Sequence, residues 1–137
     1  MIFTTGRLNP SKHHLLEARQ KADSTFCVSA SDEFMQDFPT VLGWKPAGMT
    51  ATLLKLKCVE PHDDPFVGGG EEPTVRRAIF WLLRGGGIDY RQPLIFGCGA
   101  MSVKMRPGNY VVFDDTITHW VMSEKVWYGA ALQLREL

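Results

Sequence analysis

From Met49 to the C-terminus the chain is a succession of short apolar segments closed by glycine or proline, and this limits the fold more than any other feature. Thr50 to Val59 alternates loosely and carries β-branched residues. Arg76 to Leu83 is an apolar run followed by Gly85-Gly86-Gly87. Its length suits a buried strand or a short helix, and the glycine stop favours the strand. Pro93 to Gly97 is a short apolar piece, and Ala100 to Met105 alternates around Lys104. Pro107-Gly108 makes a turn. Asn109 to Phe113 and Thr116 to Met122 read as strands, Ser123-Glu124 as a tight turn, and Lys125 to Leu134 as the last strand. Strands at roughly 8–12-residue spacing joined by such turns indicate an antiparallel sandwich or barrel.

The first 48 residues differ in character. Residues 10–22 predict a helix: Ser11 is an N-cap candidate, Leu15, Leu16, Ala18 and Ala22 form a partial apolar stripe, and Glu17-Lys21 is a favourable i,i+4 pair. Residues 24–30 suit a short strand, residues 31–38 a turn or short helix ended by Pro39, and residues 43–48 a loop. The 137 residues make one domain, with 1–48 as a helical or irregular support and 49–137 as a β-barrel core. An apolar content of 45% is enough for a packed interior.

Fifteen basic residues balance fifteen acidic ones, so no general charge draws the chain to nucleic acid or an anionic membrane. No apolar run approaches the ~18 residues of a transmembrane helix, and the N-terminus lacks the layout of a secretory signal. Three cysteines without a C-x-x-C pair argue against a disulfide framework and a thiolate zinc site. They read as reduced, mostly buried thiols in a cytoplasmic protein. Trp44 and Phe66, in expected loops, leave room for a homodimer.

The chemistry-bearing residues are His62, Asp64 and His119. The first two stand in Pro61-His62-Asp63-Asp64-Pro65 at the end of a strand-like run. Residues i and i+2 of a strand share a face, so His62 and Asp64 point one way and Asp63 the other. His119 lies far along the chain, and only the fold brings it close. Two imidazoles and a carboxylate on one face of a metal leave three positions open, the arrangement of non-haem Fe(II) oxygenases. An all-His or His/Cys set would point to zinc. Without a metal, His62 reads as a turn residue between prolines and His119 as a hydrogen-bonded core histidine. The glycine-rich segment 66–73, directly after the motif, reads as a solvated loop or a lid.

Residues 50–135 resemble the double-stranded β-helix, or jelly-roll, of the Fe(II)- and 2-oxoglutarate-dependent dioxygenases. His62-Asp63-Asp64 looks like their first metal motif, and Arg77 to Leu83 like the central strand that follows. Arg106 to Asp114 is similar to the segment leading into their distal histidine, and His119-Trp120-Val121 to the distal motif. The resemblance implies a mainly β, jelly-roll or cupin-like barrel with one or two short N-terminal helices. It implies Fe(II) held by His62, Asp64 and His119, 2-oxoglutarate as cosubstrate, and hydroxylase-type oxidation of an unknown small molecule or side chain. The family anchors the cosubstrate's distal carboxylate with a basic residue after the distal histidine. Lys125 and Arg135 are the candidates here; they share strand parity, and Arg135 offers a bidentate fork. Trp81, Tyr110, Trp120 and Trp127 are candidate pocket walls, with plain core packing as the alternative.

Two rival readings stand beside this one. Cupins share the jelly-roll and a similar C-terminal histidine element, but their first motif usually carries H-x-H and a later Glu. Asp64 stands where the second His would be, and Glu71 and Glu72 sit in the glycine loop. A cupin is a metal enzyme or a ligand-binding module. The third reading is a non-catalytic jelly-roll that mediates interactions.

Overall fold

A computed structural model describes residues 3–22, 27–85 and 93–137. The chain runs β1 (Phe3–Arg7), α1 (Lys12–Ala22), β2 (Cys27–Ser29), α2 (Asp32–Gln36), β3 (Trp44–Pro46), β4 (Thr52–His62), β5 (Arg77–Gly85), β6 (Leu94–Cys98), β7 (Met101–Met105), β8 (Asn109–Phe113) and β9 (His119–Glu136). The architecture is mainly β with short N-terminal helices, as expected. Residues 24–26 of the expected second strand, and Gly86-Gly87, lie outside the described residues.

All ladders are antiparallel, in the order β1-β8-β5-β9-β4-β2, with β3 and the β6–β7 hairpin attached to β9. β9 is the spine. Its C-terminal half lies between β5 and the start of β4; its N-terminal half lies between β6 and the end of β4. The sheet rolls on itself, because Phe96 on β6 meets Phe113 on β8 with ring centroids 4.8 Å apart although no ladder joins those strands. Among the described residues no ladder joins the sheet's ends, so the roll is open.

Both faces of β5 are covered, which explains why residues 78–83 are continuously apolar. Ile79, Trp81 and Leu83 join Phe34, Phe38, Ala18 and Ala22 of the helical layer. Ala78, Phe80 and Leu82 join Phe96, Phe113, Val121 and Trp127 inside the roll. Tyr110 and Val112 of β8 pack with the helical side, Val111 and Phe113 with the roll.

Four expectations change. The N-terminal residues Phe3–Arg7 form an edge strand on β8, unforeseen because FTTGR carries little apolar pattern. The expected loop at 43–48 contains β3, which pairs with the end of β9 and places Trp44 against the helical-side core. Ser123-Glu124 is no turn, since β9 is one continuous strand. Leu56 pairs with Trp127 and Cys58 with Met122, so Ser123 to Val126 stand opposite Lys57 alone. This is a large bulge, four residues against one, and it marks where β9 exchanges β5 for β6 as neighbour. Ser123 holds it, its hydroxyl oxygen accepting from Trp127 Nε1 at 2.8 Å and from Lys125 N at 3.1 Å. Of the cysteines only Cys98 is buried; Cys27 and Cys58 are exposed, and all three are free thiols.

Candidate metal centre

β4 and β9 bring the motif together. His62, the last residue of β4, is the direct cross-strand partner of His119, the first of β9. The two rings lie 4.3 Å apart. Asp64 follows two residues beyond, where its N–H donates to the Asp115 carbonyl at 3.0 Å. Asp63, between them, is exposed.

The donor atoms converge. His119 Nε2 is 3.0 Å from Asp64 Oδ2 and His62 Nε2 is 3.5 Å from Asp64 Oδ1; all three residues offer ligand atoms within 4.8 Å of one another. Ligands at about 2.1 Å from one ion in adjacent octahedral positions stand about 3 Å apart, so this spacing suits one metal. Each imidazole is also set for ligation. His62 Nδ1 lies 2.8 Å from the Glu60 carbonyl and His119 Nδ1 2.8 Å from the Ile117 carbonyl. Both contacts fix Nδ1 as the N–H, which leaves Nε2 to face the centre.

Without a metal, His119 must donate from both nitrogens. Burial disfavours the charged ring, but the bonds to Asp64 and Ile117 outweigh it, and the pKa is raised. The same hydrogen bond from His119 holds the Asp64 carboxyl below its ordinary value, against the desolvation that would raise it. Two donors and one carboxylate that lock together in this way leave Nε2 and carboxylate lone pairs for a cation once the protons depart.

A cavity of about 290 Å³ opens beside the three residues, inside the roll. Its walls are Thr52, Leu54, Leu56, Val59, Phe80, Phe96, Phe113, Val121 and Ala131. Phe113 and Phe96 flank His119, at 4.9 and 6.3 Å between ring centroids. A second cavity of about 230 Å³ shares Thr52, Asp64, Phe113 and Ala131 and adds Asp115 and Gln133.

The four aromatics expected as pocket walls lie elsewhere. Trp81 is fully buried on the helical side, and its Nε1 donates to the Leu8 carbonyl at 2.9 Å. Tyr110 packs across its cross-strand partner Gly6. Trp120 follows His119 directly, so it faces the other way and lies over Gly97. Trp127 is in the roll's core but sits at the bulge, tied to Ser123. Phe80, Phe96 and Phe113 are the walls that sequence reasoning missed. Strand alternation outward from His119 excludes Trp120, but which face of β5 and β8 looks inward is set by where the helices pack.

The expected carboxylate anchors are also absent from the walls. Arg135 Nη2 donates to the carbonyls of Gly69 at 2.7 Å and Glu71 at 2.8 Å, and its guanidinium lies over Phe66. Lys125 belongs to the bulge. Among the described residues, no lysine or arginine lines either cavity. Segment 65–72 is a fastened loop: Val67 N donates to Gln133 Oε1 at 2.8 Å, Gly69 N to the Ala47 carbonyl at 3.0 Å, and Phe66 lies under both Arg76 and Arg135. The sparse apolar content of 66–73 did not announce these partners, most of which are distant in sequence.

A second group of potential ligands, His13, His14 and Asp37, stands on the helical side. His14 Nδ1 accepts from Ser11 N at 3.0 Å and its Nε2 lies 3.0 Å from the Phe34 carbonyl. Both its nitrogens are therefore used in joining the start of α1 to α2, and burial lowers its pKa. This histidine is a structural clasp.

No protein-family model matches the chain, and no curated protein is similar to it. Solved structures with a similar course of chain include a cupin-2 domain containing protein from Shewanella frigidimarina, at 10% identity and TM-score 0.43, covering 72% of this chain and 76% of that one. A cupin superfamily protein from Desulfitobacterium hafniense matches at 10% identity and TM-score 0.40, covering 82% of this chain and 79% of that one.

Proposed function

We propose that the protein is a mononuclear non-haem metal enzyme of the dioxygenase type, with Fe(II) held by His62, Asp64 and His119. The observation that carries this reading is the convergence of both Nε2 atoms on one half-exposed carboxylate, with both Nδ1 atoms committed to backbone carbonyls. Such an ion, with three positions left open, supplies oxygen activation and one-electron chemistry. The chain's own residues supply the rest. Asp64 supplies the negative charge that favours a divalent ion. Leu54, Leu56, Phe80, Phe96 and Phe113 exclude water and bind an apolar substrate portion beside the ion. With no lysine or arginine on the described walls, a neutral substrate fits better than an anion.

Two cosubstrate schemes share this centre. The H-x-D…H pattern favours 2-oxoglutarate. The placement of Arg135 on the loop carbonyls, outside the cavity, favours a cupin-type metal enzyme that works without it. An anaerobic titration with Fe(II), followed by 2-oxoglutarate, separates them. A visible charge-transfer band requiring both, with slow succinate formation in air, supports the 2-oxoglutarate scheme. Tight Fe(II) binding with no response to 2-oxoglutarate supports the cupin scheme. Failure to bind any divalent ion returns the chain to the non-catalytic reading.

A further inference from the structure

The two histidines and the carboxylate are held differently. Each imidazole is fixed by its own carbonyl two residues away. The Asp64 carboxylate accepts hydrogen bonds from no described group outside the histidines themselves. It also lies beyond the end of β4, where no ladder holds it. Its direction therefore depends on how its main chain is tethered.

That tether is a network of polar side chains, two of them buried. The Asp64 N–H donates to the Asp115 carbonyl at 3.0 Å, and the Asp64 carbonyl accepts from Arg76 Nη2 at 3.1 Å. Gln133 holds the next turn from both sides: its Nε2 donates to the Pro65 carbonyl at 2.9 Å, and its Oε1 accepts from Val67 N at 2.8 Å. The same Nε2 donates to Asp115 Oδ2 at 2.8 Å. Asp115 Oδ1 lies 3.1 Å from Arg76 Nη2, an ion pair whose geometry is not aligned as a hydrogen bond. The remaining Arg76 arm donates to Glu72 Oε1 at 2.8 Å. Asp115 is 1% exposed and Arg76 8%. Burying an arginine and an aspartate is costly and often gives no net gain in stability, so these residues are poorly explained as fold stabilisers.

We infer that Arg76, Asp115 and Gln133 are positioning residues that aim the Asp64 carboxylate at the metal. The inference rests on the metal reading above. Arg76 donates to two acceptors, Asp64 O and Glu72 Oε1, while pairing with the Asp115 carboxylate, a combination that a lysine ammonium on a flexible stem does not reproduce. Outer partners of metal ligands typically carry 10–100-fold in affinity.

The test is a titration of the full chain with Co(II), read by calorimetry and by the visible ligand-field spectrum, in the wild type, Gln133→Leu and Arg76→Lys. Arg76→Lys keeps the charge beside Asp115 and loses the bridge. Gln133→Leu changes a partly exposed side chain and leaves the ion pair. The expected result is a 10–100-fold weaker Co(II) affinity and an altered spectrum in both variants, read at a temperature where circular dichroism shows each metal-free variant folded. Wild-type affinity and spectrum in both variants overturns the inference while leaving the metal centre standing. No Co(II) binding by the wild type overturns the metal reading, and this inference with it. If Arg76→Lys does not fold, Gln133→Leu alone decides between these outcomes.

Discussion

At the scale of single residues, Asp64 is where charge and metal affinity meet. Replacing it with alanine removes the ligand from a half-exposed position and leaves no buried charge unpaired, because His119 then deprotonates. Asp64→Ala should weaken Co(II) or Fe(II) binding by more than about 100-fold, beyond the usual cost of losing an outer partner. Far-UV circular dichroism should stay close to the wild type, as should urea stability at alkaline pH, where His119 is neutral in both. Full metal affinity in this variant would sink the assignment. The two buried histidines also set a pH profile for the metal-free protein. His119 has a raised pKa, so its contribution is complete below the ordinary imidazole value of about 6.5 and is lost as pH rises through its folded value. His14 has a lowered pKa, so its contribution is complete above about 6.5 and is lost as pH falls toward its folded value. Together they place the stability maximum near pH 6.5. Urea unfolding between pH 5 and 8.5 checks this: His14→Gln should flatten the acid side and Asp64→Asn the alkaline side. The grouping of His62, Asp64 and His119 was legible in the sequence because H-x-D carries its own strand geometry and the order of the later segments placed His119 beside it. The network of Arg76, Asp115 and Gln133 was not, since each looks like an ordinary solvated residue until the fold brings the three together and buries the first two.

At the scale of elements, the readable ones were those whose own pattern decides their state. α1, β4, β5, β7 and β8 each carry a stripe, an alternation or an apolar run with a stop. β1 and β3 are short edge strands whose state is decided by β8 and β9, so nothing local announces them. The break expected in β9 has a related cause. Ser123-Glu124-Lys125 is polar because it bulges out of a ladder, and a bulge and a turn use similar residues. The bulge has a testable keystone. Trp127 is 1% exposed, and the oxygen of Ser123, itself buried, accepts from its indole N–H. Ser123→Ala leaves that N–H without a partner in the core and should cost about 1–3 kcal/mol in urea unfolding. Ser123→Thr keeps the hydroxyl and should recover most of it. Equal stability of the alanine variant would mean that the bulge is held by its ladders alone.

At the scale of the whole molecule, the question is whether the metal builds the fold or the fold builds the metal site. β5 and β9 carry apolar side chains on both faces, one against the helices and one inside the roll. The roll core borders the His62–Asp64–His119 group only where His119 packs against Phe96 and Phe113, the helical-side core lies apart from it, and His62 and Asp64 are partly exposed. The 137-residue chain therefore has a buried interior that does not depend on an ion to close it. That differs from small metal-stapled domains, in which binding energy is folding energy. Stripping the protein with a chelator should leave its circular dichroism and its near-ultraviolet tryptophan signals intact. Adding a divalent metal at about 100 times its dissociation constant should then stabilise the native state by about 2.7 kcal/mol. For a domain of this size that raises the melting temperature by roughly 10 °C. The shift should vanish in Asp64→Ala and shrink in Gln133→Leu, because both act on the same carboxylate. Loss of the near-ultraviolet signals on chelation would reverse the order of cause: the β4–β9 end would then be shaped by the ion, and the tether of Arg76, Asp115 and Gln133 would form only after it.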